Sequence, residues 1–255
     1  MIPYLRKIAG RERFEKTDRH LAQFLTFVAG AANAGGFLAV HQYTSHMSGI
    51  VSAMADNLVL GDTSLLLAGL AAFLSFVAGA ACSAILVNWA RRKRLQSEYA
   101  LPLMFEAILL ICFGLLGRNL EHREWLFVPA TVMLLCFIMG LQNAIITKLS
   151  GARIRTTHVT GLVTDMGIEL GKLFYWNASP SSPDTPFVKA DRKKLKLLAS
   201  LVALFLVGGI AGAIGFKHLG FAASLALAAI LLVLAIVPVL DDLKTRWSKL
   251  GLGLD

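Results

Sequence analysis

The chain is poor in charge. Only 16% of its 255 residues are Asp, Glu, Lys or Arg, against about a quarter in a typical soluble domain. Cysteine is scarce as well. Cys82, Cys112 and Cys136 all fall in apolar runs and at no metal-ligand spacing, which leaves no basis for a disulfide framework, a redox pair or a metal centre. They read as small packing residues. No Walker loop, HExxH, GxSxG or dinucleotide fingerprint is present, so neither an enzyme nor a cofactor is indicated. One stretch lacks cations completely: between Leu21 and Ala90 there is no Lys or Arg. These absences exclude a secreted disulfide module and an ordinary soluble enzyme, and the hydrophobic content excludes a disordered chain.

What is plentiful is apolar. Residues of the AVILMFWYC set make up 56% of the chain, and its mean hydropathy is +0.65. Six apolar stretches are long enough to cross a hydrocarbon core, which takes about 20 helical residues: Leu21–Val40, Leu65–Ala90, Ala100–Gly117, Trp125–Ile146, Leu195–Phe216 and Leu219–Leu240. No cleaved signal peptide is evident, because the basic tail is long and the first stretch holds Asn33 and Gly35-Gly36.

The net charge of +9 needs a separate explanation. Six cations lie in the N-terminal tail, four form the block Arg91–Arg94, nine fall between Lys148 and Lys196, and Lys244, Arg246 and Lys249 are in the C-terminal tail. Only Arg118, Arg123 and Lys217 lie opposite them if the N-terminus is cytoplasmic, a split of 22 to 3. That is the positive-inside pattern. The surplus is an orientation signal, and no nucleic-acid partner is needed to account for it.

The chain also contains itself twice. Thr44-Ser45-His46-Met47-Ser48-Gly49-Ile50-Val51 matches Thr156-Thr157-His158-Val159-Thr160-Gly161-Leu162-Val163 at an offset of 112. Upstream, Phe27-x-x-Gly30-x-x-Asn33-Ala34 matches Phe137-x-x-Gly140-x-x-Asn143-Ala144 at 110; downstream, Phe76…Gly79…Ala84-Ile85 matches Phe205…Gly208…Ala213-Ile214 at 129. Three crossings per half is an odd number, so the second half is inverted relative to the first, an arrangement common in secondary transporters. The expected fold is all-α: six transmembrane helices as a 3+3 inverted repeat, each half carrying a short polar half-helix. The expected division is a basic cytoplasmic tail over 1–20, a first repeat over 21–117, a second over 125–240 with a cytoplasmic loop near 173–194, and a cytoplasmic tail over 241–255. The Pro/Ser-rich run Ser179–Pro186 reads as a flexible loop.

The two polar segments are the best pointer to a site. Met47–Leu60 is 14 residues, about 21 Å of helix at 1.5 Å per residue, too short for a core of about 30 Å. Ser48 and Ser52 are four apart, as are Thr160 and Thr164, which places hydroxyls on one helical face in each half. Gly49 and Gly161 allow close backbone approach. His46 and His158 head the two segments. They are either interfacial and wet or, with the following hydroxyls and the helix dipoles, ligands for a polar group. Asn33 and Asn143, with Gln142 beside the latter, are either helix–helix glue or coordinating groups. Glu106 is the one acid well inside an apolar stretch, and intramembrane acids are default proton-relay candidates, although local pairing is the alternative. The candidate substrate-binding set is therefore Asn33, His46, Ser48, Gly49, Ser52, Gln142, Asn143, His158, Thr160, Gly161 and Thr164, with Glu106 for proton coupling and no catalytic residue.

The motifs Ser45-His46-Met47-Ser48-Gly49, Gly140-Leu141-Gln142-Asn143-Ala144 and Thr156-Thr157-His158-Val159-Thr160-Gly161, in this order, resemble the YoaK-like family over roughly residues 21 to 240. The resemblance implies a bacterial inner-membrane protein of a group sometimes labelled as small-molecule transporters, and it implies no substrate and no catalytic residue. The family commonly has Asp where this chain has Asn33 and Asn where it has Ile50. The expected function is a secondary transporter or facilitator of a small polar solute, with the lipid bilayer as its surroundings and self-association as a further option. A channel or a non-transporting scaffold or sensor is the alternative, and an intramembrane enzyme stands last.

Overall fold

The computed structural model describes residues 2–12, 14–40, 42–116, 124–149, 157–177 and 187–249, and all regular secondary structure among them is helical. Thr156, Arg118, Arg123, Arg153, Arg155, the run Ser179–Pro186 and the end of the C-terminal tail lie outside the described residues. In chain order the helices are α1 (Ile2–Ile8), α2 (Glu15–Val40), α3 (Met47–Leu60), α4 (Thr63–Arg92), α5 (Ala100–Leu116), α6 (Glu124–Leu149), α7 (Val159–Phe174), α8 (Arg192–Leu219) and α9 (Ala223–Lys249), with a 3-10 turn at Gly220–Ala222.

Local chemistry sets the boundaries. Gly61 takes the left-handed conformation (φ 75°) and its N–H and that of Asp62 turn back onto the Leu58 and Asn57 carbonyls, closing α3. One residue on, the Asp62 carboxylate accepts from Leu65 N–H at 3.0 Å and opens α4. Asp191 does the same for α8, accepting from the N–H groups of Lys193 and Lys194. Gly220, at φ 57°, breaks the chain between α8 and α9.

Among the described residues four helical stretches are long and apolar enough to cross a membrane by length and composition: Glu15–Leu38, Thr63–Arg92, Val128–Leu149 and Arg192–Ser248. The last comprises both α8 and α9. Of the six expected crossings, α5 falls short. Its 17 residues extend about 25 Å, less than a core of about 30 Å. Aliphatic side chains face outward along these helices: Leu67, Leu70, Leu74 and Val77 on α4, and Leu206, Ile210 and Ile214 on α8. Spacings of three and four put each set on one stripe, and an exposed aliphatic stripe of this length is solvated by lipid, not water.

The helices pair in a definite pattern. α2 lies along α8, α4 along α6, and α5 along α9, while α3 rests on α4 and α7 on α8. The closest approaches use the repeated Phe-x-x-Gly motif. A Cβ on Gly30 would overlap the Phe205 carbonyl and one on Gly208 the Phe27 carbonyl; likewise Gly79 meets the Phe137 carbonyl and Gly140 the Phe76 carbonyl. Glycine at these four places lets the backbones touch.

The N-terminal segment is folded as well as basic. α1 buries Ile8, Arg6 pairs with Asp241 of α9, and Tyr4 bonds His20 at 2.8 Å. α2 begins at Glu15, six residues before the apolar run. At the far end α9 continues through Asp242, whose carboxylate accepts from the Gln96 and Ser97 N–H groups and so fixes the link that leads into α5.

Candidate functional site

A cavity of about 910 Å³ lies between the helix pairs, and the residues that line it come from both halves of the chain. Asn33 and Asn143, Ser45 and Thr157, His46 and His158, Met47 and Val159, Ser48 and Thr160, and Phe76 and Phe205 all contribute; Tyr43 and Thr147 complete the wall. Each of those six pairs is matched in the sequence at the offsets of 112, 110 and 129. The N-terminal ends of α3 and α7 therefore reach one space, although their bodies diverge along α4 and α8.

The asparagines hold the turns that lead into the two short helices. Asn33 Oδ1 accepts from the Ser45 N–H at 3.2 Å and from its hydroxyl at 2.8 Å. Asn143 Nδ2 donates to Thr157 Oγ1 and, at 3.1 Å, to the Met139 carbonyl. An amide inside an apolar bundle needs such partners, since an unpaired one costs several kcal/mol, about as much as any buried polar group without a partner.

The histidines sit at equivalent N-cap positions of the two short helices. His158 Nδ1 accepts from the Gly161 N–H at 3.1 Å, which makes it a side-chain N-cap for α7. His46 occupies the same position on α3 with its ring turned over, Cδ2 in the place of Nδ1, and in that orientation makes no cap bond. In both, the imidazole lies over the glycine three residues on: a Cβ at Gly49 would strike the His46 ring, and one at Gly161 the His158 ring. These glycines thus make room for the ring of their own cap and do not line the cavity.

The other residues of the candidate set lie elsewhere. Ser52 and Thr164 are exposed one turn further along, and Thr164 Oγ1 donates to the Thr160 carbonyl. Gln142 and Glu106 are fully buried and face each other across α5 and α6, Nε2 donating to Glu106 Oε1 at 2.9 Å. Oε2 of Glu106 and Oε1 of Gln142 have no hydrogen-bond partner among the described residues. Among the described residues no group of three His, Cys, Asp or Glu side chains comes together, and the three cysteines are free thiols.

Sequence reasoning missed several lining residues. Ser45 and Thr157 sit inside the quoted motif, and Phe76 and Phe205 inside the matched Phe-x-x-Gly; all four could have been taken from the repeat. Thr147 follows Asn143 by one helical turn and donates to its carbonyl. Tyr43, stacked on Phe37 with ring centroids 4.5 Å apart, carries no signal in the sequence.

Beyond the cavity, a polar cluster joins α7 to the start of α8. Glu169 accepts from the Asp191 N–H at 2.8 Å and from Lys172 Nζ at 2.9 Å, with Lys194 4.0 Å away. The Asp191 N–H, then the two lysines, hold the Glu169 carboxyl below the usual glutamate range.

Long apolar helices with lipid-facing aliphatic stripes around a cavity of mixed polar and apolar lining define an all-α membrane protein. The chain belongs to the family described as "Protein of unknown function (DUF1275)", which it matches over residues 21–237. It is similar to the UPF0700 transmembrane protein YoaK of Bacillus subtilis (strain 168), with 25% identity over 157 residues, covering 61% of this chain and 68% of that protein. No solved structure matches the chain.

Proposed function

We propose that this protein is a secondary transporter or facilitator of a small polar solute, built as six spans in a 3+3 inverted repeat. Its termini lie on the cytoplasmic side of a bacterial inner membrane. The observation that carries this reading is the cavity wall: six pairs of sequence-matched residues, one of each pair from either half, face one space. Two further features support it. The helix pairs α2–α8 and α4–α6 exchange under the repeat, and so do the four Gly-to-carbonyl contacts within them. The cation distribution supports the orientation, because six spans would leave 22 of the 25 cations on the cytoplasmic side.

On this reading the solute binds where the N-terminal ends of α3 and α7 converge, and the two halves rock about it. The site performs no bond chemistry. Asn33, His46 and Ser48 from one half and Asn143, His158 and Thr160 from the other contact the solute. Gly49 and Gly161 seat the histidines, and Ser52, Thr164 and Gln142 lie outside the cavity wall. Glu106 is the proton-coupling candidate.

Two-sided accessibility tests the reading without knowledge of the solute. Ser48→Cys and Thr160→Cys, in a background lacking Cys82, Cys112 and Cys136, are expected to react with a membrane-impermeant maleimide both in spheroplasts and in inverted vesicles. Reaction from one face alone at both positions overturns alternating access.

A further inference from the structure

The hydrogen bonds around the cavity specify more than polarity. Ser45 N–H can only donate, so the Asn33 atom facing it is Oδ1. Asn33 Nδ2 is then left as a donor with no acceptor among the described residues. The Met139 carbonyl can only accept, so the atom of Asn143 facing it is Nδ2, and Asn143 presents Oδ1. Two asparagines that match in the sequence therefore offer opposite groups: a donor from the first half and an acceptor from the second.

Around them the two cap positions are equivalent apart from the turn of one ring. In the second half the cap is closed, His158 Nδ1 taking the Gly161 N–H. In the first half the His46 ring sets Cδ2 and Nε2 over Gly49 where His158 sets Nδ1 and Cε1 over Gly161, so a half-turn of the ring gives the same cap; the Ser48 N–H, like that of Thr160, has no acceptor among the described residues. The Ser48 hydroxyl and the His46 ring are likewise unpartnered among the described residues. Donors from one short stretch thus gather beside Asn33, with the positive end of α3 behind them. Among the described residues no Asp, Glu, Lys or Arg lines the cavity, so a cation would meet no carboxylate from them. The remaining wall is apolar, with Phe76 and Phe205 together with Met47 and Val159.

Resting on the transporter reading of this same cavity, we propose that its solute is a small organic anion, a carboxylate on an apolar or aromatic body. The carboxylate takes the bonds of Asn33 Nδ2, the Ser48 N–H and hydroxyl, and His46. The body lies between the two phenylalanines, and Asn143 Oδ1 receives any N–H or O–H that the body carries. Hydrogen bonds to an ionised acceptor are roughly twice as strong as neutral ones, so this donor array discriminates by charge.

The test is calorimetric titration of the full-length detergent-solubilised protein at pH 7.5 with benzoate, benzamide and benzylamine, three probes of one shape and different charge. Benzoate is expected to bind saturably, and the other two at least ten-fold more weakly. Asn33→Asp keeps the oxygen that Ser45 needs and replaces the free NH₂ by a negative oxygen; it is expected to weaken benzoate at least ten-fold with an unchanged melting midpoint. Ser48→Ala serves as a second variant, expected to weaken benzoate with Asn33 intact. Absence of saturable benzoate binding to folded protein overturns the proposal, as does benzamide binding equal to benzoate, preference for benzylamine, or an Asn33→Asp variant that binds benzoate normally. None of these outcomes touches the two-sided accessibility test, so failure of the solute class is distinguishable from failure of the transporter reading.

Discussion

Gly30 of α2 lies so close to the Phe205 carbonyl of α8 that a Cβ at position 30 would overlap it. Phe205 itself lines the cavity. One motif therefore does two jobs: its backbone forms the tightest helix contact and its side chain forms the wall. The pair Gly140 and Phe76 repeats the arrangement between α6 and α4.

Alanine at Gly30 or Gly140 meets backbone, which cannot rotate aside. Each substitution is expected to lower stability by about 1–3 kcal/mol, the usual cost of overpacking. Gly167 and Gly171 on α7 have open space at the same distance. Alanine there is expected to be neutral or to stabilise by up to about 1 kcal/mol through helix propensity. Thermal unfolding of the four variants in one detergent checks the contrast, and equal losses at all four would remove the close-packing account.

Asn33 is tied to Ser45 by two hydrogen bonds. Asn33→Ala is expected to cost about 1–2 kcal/mol, toward the upper end measured for polar contacts between membrane helices. A double-mutant cycle with Ser45→Ala should give a coupling of about 0.5 kcal/mol or more. Additive losses would mean that the turn is held by something other than this bond.

Gln142 gives Glu106 its one hydrogen bond in an apolar setting. Gln142→Leu leaves the carboxyl without a partner and is expected to cost about 1–3 kcal/mol, whereas Glu106→Met combined with Gln142→Leu removes both polar groups and recovers most of that loss. Resistance to SDS-induced unfolding reads the difference. A double variant no better than the single one would show that the loss does not come from leaving the Glu106 carboxyl unpartnered.

Glu169 makes a pH-dependent contribution. Its folded-state value lies below the ordinary 4.5 because the Asp191 N–H, Lys172 and Lys194 favour the carboxylate. A depressed folded value means that the bond stabilises the fold above the unfolded-chain value and is lost as pH falls through the folded one. The melting midpoint is therefore expected to be level near neutrality and to drop below about pH 4.5. Glu169→Gln should lower the midpoint at pH 7 and flatten part of that drop. A parallel curve in the variant would assign the acid loss to other carboxylates.

Much of this molecule is written in one dimension. Apolar runs locate the long helices, since a residue's transfer free energy does not depend on its partners. The bounds Met47–Leu60 follow from the left-handed glycine that closes the run, and Ala100–Leu116 from the apolar stretch itself. Asn33, His46, Asn143 and His158 are legible because the motifs recur at fixed offsets, and all four line the cavity. The helical start of the N-terminal segment is less legible, because Arg6 finds Asp241 across 235 residues; a count of cations registers charge and says nothing of its partner.

Pairings between distant backbones were out of reach for the same reason. That α3 rests on α4 while only its first residues turn toward α7, that Gly49 serves its own histidine, and that Glu106 faces Gln142 all depend on how helices cross. Side-chain periodicity within one helix carries no such information. The clearest case is the two asparagines. The residue type and position are equivalent in both halves, yet one offers a donor and the other an acceptor. The choice rests on whether the nearest fixed group is the N–H of Ser45 or the carbonyl of Met139, a matter of three-dimensional contact alone.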